Sequence, residues 1–292
     1  MILVDIGNSG LRAARSRPSL RAEDPSLFEI PKPIYKLSWS SIGQQIGKQR
    51  PDPTHSEHRR WIQIDDPQGY DWLLQSVLDG ESESSVQEIR IASVNRNALD
   101  SLLKSIERYA SAFQISIVPR IVDYRDVGIE VAVDYPQKVG IDRVLAARAA
   151  VERTVPGVPV IVVQAGTALT VDWVDHRGHF QGGAILPGVG LALQYLAAGT
   201  DQLPWLPTDS IDRLPRLPGK NTEEAIAAGV HASLVGGVRY LVDRYRQEIG
   251  GRTTVPVVIS GGDGRLVREH IAEPAAYVED LVLIGLALSD PQ

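Results

Sequence analysis

Two short turns of small residues carry the first chemistry this sequence offers. One lies in Asp5-Ile6-Gly7-Asn8-Ser9-Gly10-Leu11-Arg12, between an apolar run that starts at Ile2 and an alternating run that ends near Arg15. The other is Gly166-Thr167, again between two apolar runs. Each turn presents backbone N–H groups and a hydroxyl, the donors that phosphate takes, and glycine lets the main chain come close to such a ligand. Asp5 ends the first strand beside its turn, where a carboxylate can hold Mg²⁺ directly or through water as phosphates arrive. A third candidate is Gly140-Ile141-Asp142-Arg143, at the start of a helix that stabilises the Asp142 anion. Each feature also has an ordinary structural use, as a hairpin turn or as an acidic residue in a first helical turn.

The elements around these residues read as an α/β protein. Ile2 to Arg15 is a hairpin. Residues 31–70, rich in Pro, Asp, Gln and His, show little periodicity and read as irregular, with a short strand near Trp61–Ile64. A helix at Tyr70–Leu78, a buried strand at 89–95, a helix at 98–110 with apolar residues at helical spacing and a strand at 115–119 complete a first block. The second block has a helix from about Ile141 and a strand, Gly-Thr turn and strand at 159–173. A third strand, the helix GLALQYLAAG and a long helix from Thr222, with Thr222 as its N-cap, come next. A strand then runs into the Gly-rich turn Ser260-Gly261-Gly262, and a closing helix follows. The hairpin at 2–15 is thus echoed at 159–173. Two such hairpins in two halves imply a duplicated fold, divided at 1–125 and 126–292, with a nucleotide held between the halves.

Composition narrows the field. A net charge of −6 gives no electrostatic footprint for nucleic acid, and the His55–Arg60 cluster is too short to supply one. There are no cysteines, so disulfides, thiolate metal sites and cysteine nucleophiles are excluded. No signal-peptide pattern is present, and uninterrupted apolar runs fall well below the ~18 residues of a membrane span. A cytoplasmic protein without nucleic-acid or membrane partners is expected. His176 and His179 flank a turn without a zinc spacing and read as surface residues. Trp173 and Trp205 read as packing residues.

The motifs DIGNSGLR (5–12), VGIDR (139–143), AGTALTVDWVD with GGAILPG (165–188) and GKNTEEAIAAG (219–229), with SGG at 260–262, occur in an order and spacing that resembles the type III pantothenate kinases. These belong to the acetate-kinase/Hsp70/actin superfamily. The resemblance implies two ribonuclease-H-like (actin-like ATPase) domains with an interdomain nucleotide cleft. It also implies ATP-dependent phosphorylation of pantothenate to 4′-phosphopantothenate, the first step toward coenzyme A, by a homodimer that uses Mg²⁺. It places Asp5 to Arg12 and Thr167 on ATP, with Gly261 and Gly262 near the adenosine, where a side chain would block approach. It makes Asp142 the proton acceptor, and it sets Gly140, Ile141, Asp142, Arg143 and Thr222 on the substrate.

Two positions depart from the family pattern. Where the family has an Asp that binds a monovalent cation, K⁺ or NH₄⁺, two residues before the Gly-Thr, this chain has Gln164. Gln is neutral but keeps a carbonyl oxygen for a cation and an amide for a phosphate. Where the family often has a substrate-contacting Tyr seven residues before Gly140, this chain has Val133. On a strand Tyr135 would share the face of Val133 and substitute for it, from about 7 Å further along. A relative that binds nucleotide and acts as an accessory or regulatory factor, and an ATP hydrolase of the same superfamily, are the rival readings.

Overall fold

A computed structural model describes residues 1–16, 30, 34–39, 59–78, 87–211, 215–249 and 255–290. Residues 55–58 of the His55–Arg60 cluster lie outside this set. The chain divides into two compact units, one of Met1–Gly128, Gln137–Leu145 and Val282–Gln292, the other of Ile129–Pro136 and Ala146–Leu281. The sequence division at 125/126 puts 137–145 and 282–292 in the second block; in the fold they are part of the first unit.

The first unit holds strands β1 (Ile2–Ile6), β2 (Gly10–Arg15), β3 (Ile34–Trp39), β4 (Arg59–Ile62), β5 (Gln87–Ser93) and β6 (Ile117–Ile121), with helices α1 (Pro67–Leu78) and α2 (Arg96–Phe113). Its sheet runs β4-β3-β2-β1-β5-β6. β1 is central, antiparallel to β2 and parallel to β5, and all five of its residues are buried. A strand covered on both faces needs this unbroken apolar run, and Asp5 is the exception in it. Ile2, Val4 and Ile6 share one face and pack with Leu73, Leu74 and Val77 of α1 and Ala98, Leu102 and Ile106 of α2. Leu3 and Asp5 alternate to the other face. Asn95 caps α2 by accepting the Ala98 N–H at 3.2 Å, and Gln114 closes the helix in the left-handed region at φ 54°.

The second unit is built on β7 (Val160–Ala165), β8 (Ala168–Val174), β9 (Phe180–Pro187), β10 (Val257–Ser260) and β11 (Ala275–Tyr277), in the order β11-β10-β7-β8-β9. Helix α3 (Ile141–Glu152) enters it from the first unit, and α4 (Val189–Ala198), α5 (Thr222–Ile249) and α6 (Gly264–Arg268) belong to it. Helix α7 (Leu281–Leu288) begins at the last residue of the unit and continues into the first. β7 pairs antiparallel with β8, β8 antiparallel with β9, and β10 parallel with both β7 and β11. The first unit repeats this pattern strand for strand, from β3 through β2, β1 and β5 to β6, with β4 added at its edge. Two copies of one mixed sheet, each opened by a hairpin, are the duplicated fold that the echo at 159–173 predicts and the ribonuclease-H-like arrangement that the resemblance implies.

Helix α5 is, among the described residues, long and apolar enough to cross a membrane by length and composition alone. Its Ile226, Val230, Leu234, Val238 and Val242, spaced by four, are instead buried against Ile161, Val163 and Val171 of the sheet. That spacing is the stripe of a core helix. Of the stretch 31–70, expected to be irregular around one short strand near Trp61–Ile64, residues 31–33 and 40–58 lie outside the described residues; the remainder holds β4 close to the expected strand, and β3 and the start of α1, which were not expected. Ile34 and Leu37 are the buried residues of β3, three apart, a spacing that suits a helix face and not the alternation of a strand.

Candidate active site

The first turn is a four-residue connection, Gly7 to Gly10, between the paired residues Ile6 and Leu11. The Gly7 N–H closes it onto the Gly10 carbonyl at 2.8 Å. The end of β3 holds it from the side: Trp39 donates its main-chain N–H to the Ser9 carbonyl at 3.0 Å and its indole N–H to the Gly7 carbonyl at 3.2 Å. A Cβ on Gly10 would stand 2.3 Å from the Leu37 carbonyl oxygen, so glycine is needed there to let β3 approach. Asn8 and Ser9 are left exposed at the tip.

Asp5 and Arg12 face each other across β1 and β2. Two donors of Arg12, Nη2 at 2.5 Å and Nε at 3.2 Å, reach the same oxygen, Oδ2 of Asp5. Oδ1 accepts no hydrogen bond from the described residues. Asp5 is 7% exposed, so its charge is held by Arg12 rather than by water.

Asp142 belongs to the same unit. Its Oδ1 accepts the Arg143 N–H at 2.9 Å, and a Cβ on Gly140 would lie 2.6 Å from that oxygen. Gly140 therefore gives the Asp142 carboxylate its place at the start of α3. The same turn lies against Val94, whose Cγ1 would be 3.8 Å from that Cβ; Val94 donates its N–H to the Ile6 carbonyl at 3.0 Å. One backbone step from the first turn thus leads, through Val94, to the turn that carries Asp142. The structure brings the DIGNSG turn and Asp142 together.

In the second unit the Gly166 N–H reaches the Ala168 carbonyl at 3.2 Å and the Gly188 N–H the Thr167 carbonyl at 3.0 Å. A Cβ on Gly188 would come within 2.0 Å of the Gly166 carbonyl oxygen. The Ser260-Gly261-Gly262 turn packs on the same hairpin, for the Asp263 N–H reaches the Ala165 carbonyl at 3.1 Å and Tyr277 donates its hydroxyl to the Gly261 carbonyl at 3.2 Å. Gln164 pairs with Ser260 on one side and Thr170 on the other, directly behind this junction. The two glycines there have different reasons. Gly261 has φ +96° and no room for a Cβ, 2.2 Å from the Ala165 oxygen; a Cβ on Gly262 meets nothing within 4 Å. Gly261→Ala is expected to cost about 2–3 kcal/mol, a strained φ with a backbone clash, and to lower the thermal midpoint by roughly 5–10 °C. Gly262→Ala should leave the midpoint within about 2 °C in the same melt.

Beside Gly262 is a cavity of about 230 Å³ with apolar walls from Val189, Ile211 and Leu266 and polar groups from Thr208, Asp263 and Arg265. Burial pushes the Asp263 carboxyl up to about 6. Sequence reasoning missed Asp263, although a carboxylate immediately after the glycine pair was the available signal. It also gave Gly188 and Trp39 no role.

Several expectations change. Thr222 does not cap α5: Asn221 does, accepting the Glu224 N–H at 2.8 Å, while the Glu224 side chain accepts the Lys220 N–H at 2.7 Å. Thr222 is the first helical residue and is exposed, so its hydroxyl is not consumed by a cap. Val133 and Tyr135 are not on a strand; the chain bends there before a short 3₁₀ turn at Pro136–Lys138, and the shared-face argument does not apply. Val133 sits at Gly182, within 3.3 Å of where its Cβ would be, and Tyr135 is 59% exposed. Trp205, expected in the core, is 55% exposed. His176 is exposed, and His179 Nε2 lies 3.5 Å from Glu130.

Residues 42–244 match the family model described as type III pantothenate kinase. The type III pantothenate kinase of Rhodopirellula baltica is 37% identical over 256 residues, 82% of this chain and 89% of its own length. The chain belongs to the type III pantothenate kinase family. The enzyme of that name from Thermomicrobium roseum is 34% identical, over 74% of this chain and 80% of its own length. Among solved structures, acetate kinase from Porphyromonas gingivalis aligns over 97% of each chain with a TM-score of 0.47 at 10% identity. The family match takes in VGIDR, the Gly166-Thr167 hairpin and GKNTEEAIAAG, and leaves out the first turn and Ser260-Gly261-Gly262. For the first turn the internal repeat supplies the link, since β1-β2 stands in its sheet where β7-β8 stands in the other.

Proposed function

We propose that this member of the family transfers the γ-phosphoryl group of ATP to the hydroxyl of pantothenate, the entry step of coenzyme A synthesis. The observation that carries the reading is the neighbourhood of Asp142 and the DIGNSG turn within one unit of a chain of this family. The bond from γ-phosphorus to the bridging oxygen of ADP breaks and a bond from phosphorus to the pantothenate oxygen forms. Asp142 takes the hydroxyl proton at its carboxylate. The transition state is loose, so the rest of the work is positioning and charge. In the first unit the backbone N–H groups of Gly7 to Gly10 and the side chains of Asn8 and Ser9 are donors for phosphate; in the second unit Gly166-Thr167 offers donors of the same kind. Arg12 pairs with Oδ2 of Asp5, and the remaining oxygen, Oδ1, fits a Mg²⁺ ion or its water. Mg²⁺, when bound there, neutralises phosphate charge. Gly140, Ile141 and Arg143, beside Asp142 in the first unit, are the residues that meet pantothenate, Thr222 is a further substrate residue carried by the second unit, and the protein works as a homodimer.

Gln164 sets the chain apart from relatives with an acid at that position. A neutral side chain attracts a monovalent cation less than a carboxylate does, and its amide can donate to a phosphate instead. Purified protein with ATP and Mg²⁺ should form ADP and phosphopantothenate in equal amounts, only when pantothenate is added. K⁺ should change the rate by less than about threefold. ADP release without pantothenate would make the protein a hydrolase. Tight nucleotide binding without turnover would make it an accessory factor.

A further inference from the structure

The cavity beside Gly262 contains a carboxylate that the fold leaves unsatisfied. The Asp263 main chain is fixed by its N–H on the Ala165 carbonyl, 3.1 Å away. Its carboxylate takes no hydrogen bond or ion pair from the described residues, and no neighbouring charge offsets the burial that raises its pKa to about 6. Arg265, on the same cavity, places its guanidinium 4.7 Å over the Tyr277 ring instead. A half-desolvated acceptor without a donor is costly, and a ligand that brings a donor relieves that cost. The shape says which part of a ligand fits. Val189, Ile211 and Leu266 offer apolar walls from three separate elements, as a flat ring requires. At about 230 Å³ the space is below the usual 300–1,000 Å³ of ligand sites, so it takes a ring system rather than a whole nucleotide.

We propose that Asp263 selects the base of the nucleotide, accepting a hydrogen bond from the exocyclic amino group of adenine and rejecting a base with a carbonyl at that position. The inference rests on the ATP reading above. Its physical content is that a carboxylate opposite an amino group gains a charge-assisted hydrogen bond, whereas a carboxylate opposite a carbonyl sets two acceptors against each other. Gly262 fits this role, since the absence of a side chain there leaves the cavity open.

Calorimetric titration at pH 8, where the carboxyl is ionised, tests it with ADP, inosine diphosphate and 2′-deoxy-ADP. The unaltered protein should bind ADP at least about 10-fold more tightly than inosine diphosphate. Asp263→Asn, whose amide can accept or donate, should shrink that ratio to about twofold, and Asp263→Ala should reduce it as well. Neither variant removes an internal hydrogen bond, and circular dichroism should show both folded. ADP binding with a ratio that Asp263→Asn leaves unchanged overturns the role of Asp263 and spares the ATP reading. Discrimination against 2′-deoxy-ADP that the variant abolishes means that the carboxylate reads the sugar, and this too overturns it. Failure of the unaltered protein to bind ADP at all removes both readings together.

Discussion

Asp142→Asn is expected to lower kcat for pantothenate phosphorylation by about 10²–10⁴-fold, the usual contribution of a general base, and to change the Kd for ADP by less than about twofold. The substitution keeps the shape of the side chain. The amide oxygen can still accept the Arg143 N–H as Oδ1 does at 2.9 Å, and Gly140 still leaves the space into which it fits. The change therefore removes a proton acceptor and keeps this hydrogen bond. A loss confined to kcat identifies an interaction made in the transition state, while a matched rise in KM would identify a binding contact. Single-turnover rates beside equilibrium ADP binding separate the two. Turnover within threefold of the unaltered enzyme would remove Asp142 as the base.

The second large effect concerns Asp5. Asp5→Asn leaves Arg12 with its side chain 29% exposed and its buried counter-charge gone. Breaking a buried pair from one side costs up to 3–5 kcal/mol; with Arg12 partly in water about 1–3 kcal/mol is expected, seen as a lower urea midpoint. Turnover should also fall, by at least about 10²-fold, as the oxygen offered to Mg²⁺ loses its charge. The double variant Asp5→Asn with Arg12→Gln separates the two consequences. It should recover part of the stability, because neither charge of the pair remains, and none of the turnover. Recovery of both would make the pair purely structural.

Much of this site could be read from the sequence, for a physical reason. A phosphate turn needs small residues between two strands, and a helix start needs few residues to declare itself, so 5–12 and 140–143 are local patterns. The pairing of Asp5 with Arg12 was also within reach: a symmetric turn at residues 7–10 sets 5 opposite 12. Other parts depend on distant chain. β3 hides because Ile34 and Leu37 are spaced as on a helix face and its partner β2 lies about twenty residues away. Thr222 and Asn221 are both good capping residues, and only geometry shows that Asn221 holds the position. Asp263 is a common surface type whose lack of partners is a property of the cavity, not of its neighbours in sequence. The return of residues 137–145 and 282–292 to the first unit has no local signature at all.

That return has a consequence for the order in which the protein can be made. Helix α7 packs its backbone on α3, where a Cβ on Gly285 would come within 2.0 Å of the Leu145 carbonyl oxygen. Arg90 of β5 donates to the carbonyls of Ala287, at 3.3 Å, and Ser289 just beyond the helix. The unit that carries the DIGNSG turn is therefore completed by residues translated after the whole of Ala146–Leu281. At about 5–20 residues per second, the ribosome needs several seconds to tens of seconds to supply them. During that time Asp5, Arg12 and Asp142 have been synthesised but their unit lacks its last helix, while the second unit already has every strand it will use. The half with the proposed catalytic carboxylates is begun first and finished last, so a nascent chain should mature its glycine-turn half before it can perform any transfer.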